Sequence, residues 1–162
     1  SLSPVFVVVF SYFVFKDNEE RVVGVASTLW TIFDVKKREV VTNLDHIPYP
    51  EIEKQAPPLS NPSSLAIEPL EASVDYTTTY GDIDTNMHAN NTNYVEWMFN
   101  LFSLEQLETF YPLSLQINYL REIPYQQTIQ LDYSIQENRA KFIGYVDQAP
   151  VFSCLMKSEV DD

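Results

Sequence analysis

The chain has 162 residues, room for one domain or two small ones, and 45% of them are hydrophobic, so it can bury a substantial core. Its formal net charge of −13 argues against nucleic acid or an anionic membrane as a partner. The single cysteine, Cys154, excludes an internal disulfide and suits a reducing cytoplasm, and no cysteine pair or His-rich cluster points to a zinc site.

The first element is "VFVVVFSYFVF", residues 5–15. It is too short to cross a bilayer and lacks the basic flank and small-residue cleavage site of a signal peptide. Val and Phe dominate it, which predicts a buried strand. Residues 21–35 read as a second strand, joined to the first by the polar turn "KDNEE" in an antiparallel hairpin. Just beyond, "VKKRE" sets Lys36, Lys37 and Arg38 side by side, the one such basic cluster in the chain. It reads either as an ordinary exposed turn or as a docking point for an acidic partner. Residues 44–70 hold six of the ten prolines and alternate poorly, so they predict a linker or an extended surface crossing. His46, in that segment, reads as a surface residue.

A compact pattern begins at residue 71. Val74, Tyr76, Thr78 and Tyr80 alternate as a strand, and so do Leu113, Leu115, Ile117 and Tyr119. Ile129, Leu131, Tyr133 and Ile135 alternate against Gln130, Asp132, Ser134 and Gln136 more cleanly still, and "AKFIGYV" and "VFSCLMKS" supply two more strands around the turn "DQAP". Strands of this kind are half-buried in an antiparallel sheet. Between the first two lies a helix, predicted over about 91–109 with Asn90 or Asn91 as its cap. Its polar positions Asn93, Glu96, Asn100 and Ser103 form one narrow stripe, so protein must wrap the remainder. A strand, a buried helix and four antiparallel strands describe an α+β hotdog fold, an antiparallel sheet curled round a central helix.

The chemistry concentrates in "DIDTNMHANNTNYVEWMF", residues 82–99. Asp82, Asp84, Asn86 and His88 occupy alternate positions and would share a face if the segment stayed extended; a turn would break this. The segment leads into the N-terminus of the buried helix, where backbone N–H groups favour developing negative charge. Hydrolysing an ester or thioester needs a carboxylate to attack or to activate water, together with donors for the oxyanion. Asp82, Asn90 and Asn91 also suit simple turn and cap roles. The "NNT" sequon at 90–92 lies inside this motif and is discounted as a glycosylation site.

"DIDTNMHANNTNYVEWM" resembles the D-x-N-x-H-x-N-N-x-x-Y-x-E-W signature of the acyl-acyl-carrier-protein thioesterases, bacterial relatives of the plant fatty-acyl enzymes. "LQINYLREI" resembles that family's Y-x-R-E segment, and "ASTLWTIFDVKKREVV" resembles the strand that closes its first hotdog. The resemblance implies two tandem hotdogs: 1–43 would be the C-terminal strands of a first, truncated copy, 44–70 a linker, and 71–162 the second copy with the catalytic residues. It places Asp84, Asn86, His88 and Glu122 on the family's catalytic positions. Asp84 would be the nucleophile or a base positioning water, and Asn86 would orient the thioester carbonyl or donate to the oxyanion. His88 would pass a proton to the leaving thiol, and Glu122 would hold His88 or the water. Where plant members often carry Cys after that Glu, this chain has Ile123, so a cysteine nucleophile is unavailable there; Cys154 reads as core filler. No cofactor or metal is implied.

The implied substrate is a fatty acyl group on acyl carrier protein, and the implied activity is its release in the cytoplasm during fatty acid biosynthesis. An acyl-CoA thioesterase of the wider hotdog group and a non-catalytic acyl-binding hotdog are the alternatives. Acyl carrier protein is acidic, so docking would need a local basic patch such as Lys36, Lys37 and Arg38. The sequence starts without Met, within an apolar strand. This chain alone is therefore expected to be inactive or nearly so, and to self-associate or aggregate through residues 5–15. Restoring an N-terminal segment with one helix and several strands is expected to recover activity.

Overall fold

A computed structural model of the chain describes residues 8–31, 33–34, 39–41, 59 and 63–158. The chain divides into two compact units, Ser1–Ser63 and Ser64–Asp162.

In the first unit, β1 (Val8–Lys16) and β2 (Val22–Thr31) form the expected antiparallel hairpin, in register from Val8 opposite Thr31 to Phe15 opposite Gly24, with a shift before Lys16, which lies opposite Val22. Its turn is organised by Asp17, which accepts from the backbone N–H groups of Glu19 and Arg21 and from Arg21 Nε at 2.7 Å. The Arg21 side chain is the main reason the Asp17 carboxyl lies below its ordinary pKa. Phe13, Val14, Phe15, Val23 and Trp30 are all exposed, so the hairpin shows apolar side chains on both faces. Two short strands, β3 (Phe33–Asp34) and β4 (Glu39–Val40), pair antiparallel. Lys36, Lys37, Arg38 and His46 lie outside the described residues.

The second unit holds β5 (Ala72–Thr77), α1 (Asn91–Phe99), α2 (Leu104–Thr109), β6 (Ser114–Tyr119), β7 (Thr128–Ile135), β8 (Arg139–Val146) and β9 (Ala149–Lys157). The five strands form one antiparallel sheet in the order β5-β7-β8-β9-β6. The period-2 patterns behave as expected on β7, where Ile129 and Leu131 are buried and Gln130 is exposed. Across the inner face, Leu131 lies opposite Gly144, Gly144 opposite Phe152, and Phe142 opposite Cys154. Tyr94, Trp97 and Met98 of α1 pack into this face, with Glu96 left on the solvent side. Tyr94 meets Phe152 edge-to-face at 5.1 Å. Burying side chains of this size contributes roughly 1.5–3 kcal/mol each, so helix and sheet hold one another. A Cβ on Gly144 would come within 2.2 Å of the Phe152 ring, so glycine is needed where that ring crosses β8.

The helix predicted over 91–109 is interrupted. α1 ends at Phe99 with tightened bonds from Leu101 N–H to Met98 and from Phe102 N–H to Phe99, and α2 starts afresh. The break has a local cause: Ser103 accepts from Gln106 N–H, and Gln106 Oε1 accepts in return from Ser103 N–H, a reciprocal capping box. On the outer side of the sheet, Leu65 N–H donates to Asn118 at 2.9 Å and Glu68 pairs with Lys141, so residues 65–68 lie against β6 and β8. No helix among the described residues is long and apolar enough to cross a membrane.

Candidate active site

Beyond β5 the chain makes a single turn of 3-10 helix, Tyr80–Asp82, and then doubles back on itself. Ile83 bridges Ala89, Asp84 N–H donates to the His88 carbonyl at 2.9 Å, and Met87 N–H donates to the Asp84 carbonyl at 3.0 Å. Met87 takes up the left-handed conformation, with φ 67°, to complete the turn. The segment is thus not extended, and its alternating polar side chains part company. Asp82 turns inward, Asp84 and Asn86 stay together at the tip, and His88 leaves towards the segment between β6 and β7.

At the tip, Asp84 accepts from Asn86 N–H at 2.8 Å and from Asn86 Nδ2 at 3.5 Å, which is the local habit of Asp and Asn in turns. His88 Nε2 stands 3.3 Å from Glu122 Oε2, with the carboxylate largely exposed. Two backbone links bring this about: His88 bridges Pro124, and Ala89 N–H donates to the Ile123 carbonyl at 2.8 Å. Thr78 fastens the same stretch, its hydroxyl donating to the Pro124 carbonyl at 2.8 Å and accepting from Gln127 N–H at 2.9 Å. The four residues therefore form two pairs, Asp84 with Asn86 and His88 with Glu122. Asp84, Asn86 and His88 are carried on one hydrogen-bonded turn and Glu122 on the segment after β6, and among the described residues no side-chain bond joins the pairs.

The turn opens directly onto α1. Asn90 caps the helix, its Oδ1 accepting from Thr92 N–H at 3.0 Å, so a partial positive charge faces the turn. The Tyr119 hydroxyl donates to the Asn91 carbonyl at 2.9 Å and ties β6 to the same helix end. Tyr94 is buried beneath, and burial first, then the neighbouring Tyr119 and Glu122, pushes its hydroxyl up to about 12. Ile123 is fully buried, and Cys154 lies in the core, its thiol pushed up to about 12 by burial. Among the described residues no group of three or more His, Cys, Asp or Glu could hold a metal ion.

Asp82 is the residue whose place the sequence concealed. Its side chain is buried, and its two oxygens accept from the Tyr76 hydroxyl, Thr79 N–H and hydroxyl, Trp97 Nε1 at 2.9 Å and Asn93 Nδ2 at 3.5 Å. Burial alone would raise its pKa, but the bonds from Thr79, Trp97 and Tyr76 outweigh it and hold the carboxyl below its ordinary value. The available signal was that Tyr76 and Trp97, both bearing donors, flank the motif; what they share is visible only in three dimensions.

A five-stranded antiparallel sheet closed over α1, with polar residues gathered at the helix N-terminus, defines the second unit as a hotdog domain. Residues 68–149, about half of the chain, match the family model described as the acyl-ACP thioesterase C-terminal domain, and the chain belongs to the acyl-ACP thioesterase family. Among solved structures it is similar to an acyl-ACP thioesterase from Bacteroides thetaiotaomicron, with TM-score 0.79 and 19% identity over 94% of this chain and 63% of that one. It is also similar to the 12:0-ACP thioesterase from Umbellularia californica, with TM-score 0.75 and 15% identity over 96% of this chain and 64% of that one. The chain thus spans less than two thirds of the length of either structure. No curated protein sequence matches it.

Proposed function

We propose that this chain hydrolyses the thioester of fatty acyl groups carried on acyl carrier protein, releasing the free fatty acid. The observation that carries the reading is the turn at the α1 N-terminus, which holds the Asp84–Asn86 pair and His88 on one short backbone loop and, through its bridge to Pro124, brings His88 beside Glu122. A thioester carbonyl set over this turn would meet a carboxylate for attack, either directly or through water. It would also meet Asn86 and the helix N-terminus, which can stabilise the oxyanion. His88, oriented by Glu122, is suited to hand a proton to the leaving thiol. Either form of attack ends in carboxylic acid and free thiol, with water supplying the oxygen and the proton.

In this reading the second hotdog, 71–162, does the chemistry and residues 1–43 contribute strands of a first. The acidic carrier protein docks through Lys36, Lys37 and Arg38, and the site of action is the cytoplasm. The test compares thiol release from acyl-acyl carrier protein and from the matching acyl-coenzyme A, using protein that carries this chain. Preference for the carrier-protein substrate supports the proposal. Preference for coenzyme A would move it to the wider acyl-CoA thioesterases, and binding without turnover would leave an acyl-binding domain.

A further inference from the structure

We infer that Asp82 is a positioning residue for the candidate active site, an acceptor-only anchor that fixes the Asp84–His88 turn against β5 and α1. The inference rests on the proposed thioester hydrolysis for its kinetic part and on geometry for the rest.

Five donor groups converge on this one carboxylate, and they come from three places: Tyr76 in β5, Thr79 at the root of the turn, and Asn93 and Trp97 in α1. Its backbone carbonyl takes a further bond, from Asn90 N–H at 2.8 Å, and Asn90 is the cap of α1. A strand end, a turn and a helix start are thus tied at a single point, two residues before Asp84. The same point sets how the helix N-terminus faces the Asp84–Asn86 pair.

The chemistry of the donors says which side chain can stand there. Oδ2 accepts from Thr79 N–H at 2.6 Å and from the Thr79 hydroxyl at 2.8 Å, while Oδ1 accepts from the Trp97 indole N–H. An asparagine has one oxygen to offer, so its NH2 would face either the Thr79 pair or the indole as donor against donor. The indole and backbone N–H groups cannot reverse their roles. An uncompensated group of this kind in a buried site costs roughly 1–3 kcal/mol. The segment best placed to relieve it is the short turn, which hangs on four backbone hydrogen bonds, not the packed sheet. A shift of about 1 Å in catalytic groups can cost on the order of 100-fold in rate.

The test is Asp82→Asn in the full chain, read by amide hydrogen exchange and by kinetics. The inference expects the amides of Asp84, Met87, Ala89 and Asn90 to lose at least tenfold in protection while those of Leu131, Phe142 and Cys154 keep theirs. In protein that turns over, kcat is expected to fall by about 10–100-fold with KM within about threefold. Unchanged turn protection, or kcat within twofold of the parent, would overturn it. Should Asp82→Asn lose protection throughout the sheet, Tyr76→Phe replaces it, since it removes one donor and leaves the carboxylate. The same four amides must then loosen over an intact sheet, and their failure to do so overturns the inference. A parent protein that never hydrolyses thioesters would refute the proposed function alone, because the exchange readout needs no turnover.

Discussion

Thr78→Val removes one hydroxyl and almost no volume, so it isolates a single fastening of the site. Thr78 is only 1% exposed, and its hydroxyl donates to the Pro124 carbonyl at 2.8 Å, with the Gln127 carbonyl a longer alternative at 3.4 Å, and accepts from Gln127 N–H. Valine fills the same space, which leaves no cavity to count. A net hydrogen bond contributes about 1 kcal/mol, and a buried group left alone costs more. Pro124 and Gln127 are not fully buried, so water repairs part of the loss and the total comes to about 2 kcal/mol. In a domain near 100 residues that lowers the melting temperature by roughly 8–16 °C. The backbone pair from Thr78 N–H to Gln127 and from Gln126 N–H to Thr78 survives, so the fold should persist. Urea unfolding is the assay: the midpoint should drop with an unchanged slope. A variant within about 0.5 kcal/mol of the parent would refute the claim that this hydroxyl holds the Glu122 stretch to β5.

Three further outcomes follow from the same geometry. Gly144→Ala pushes a methyl group into the Phe152 ring, which is fully buried and packed on Tyr94, so it should destabilise by about 1–3 kcal/mol in the same unfolding assay. Thiol-blocking reagents should leave thioester turnover unchanged, since Cys154 is buried with a raised pKa and Ile123 follows Glu122; rapid inactivation relieved by Cys154→Ala would contradict this. Charge reversal at Lys36, Lys37 and Arg38 should weaken use of carrier-protein substrates far more than of coenzyme A substrates, with the difference fading as salt rises; equal effects on both would remove the docking assignment.

The sheet was legible because its strands carry their own period: Gln130, Asp132 and Ser134 against Ile129, Leu131 and Tyr133 admit only one way of facing a core. The helix was legible from Tyr94 to Phe99 for the same kind of reason. Its end was not, because Ser103 continues the polar stripe of an unbroken helix and also starts a new one. Only the Gln three residues later marked the restart. In the site, the residue types carry the proposed chemistry, and the condition for a shared face, an extended segment, is not met. Alternation left open an extended segment or a turn, and Asp84 and Asn86, two apart, carry the composition of a turn. The approach of Glu122 to His88 depends on a bridge between distant segments, and Asp82 depends on donors from both flanks. Such meetings are products of the fold, and no local window holds them.

The proposed hydrolysis puts the chemistry on the Asp84 carboxylate, and a single substitution tests that assignment. Parent protein and Asp84→Asn, matched in circular dichroism and melting temperature, are assayed for thiol release from acyl-acyl carrier protein. Asparagine keeps the size of the side chain and removes the carboxylate from an exposed turn, so the fold is expected to stand while kcat falls by about 100-fold or more. A well-folded variant that kept more than about a tenth of the parent kcat would show that the carboxylate of Asp84 neither attacks nor activates water.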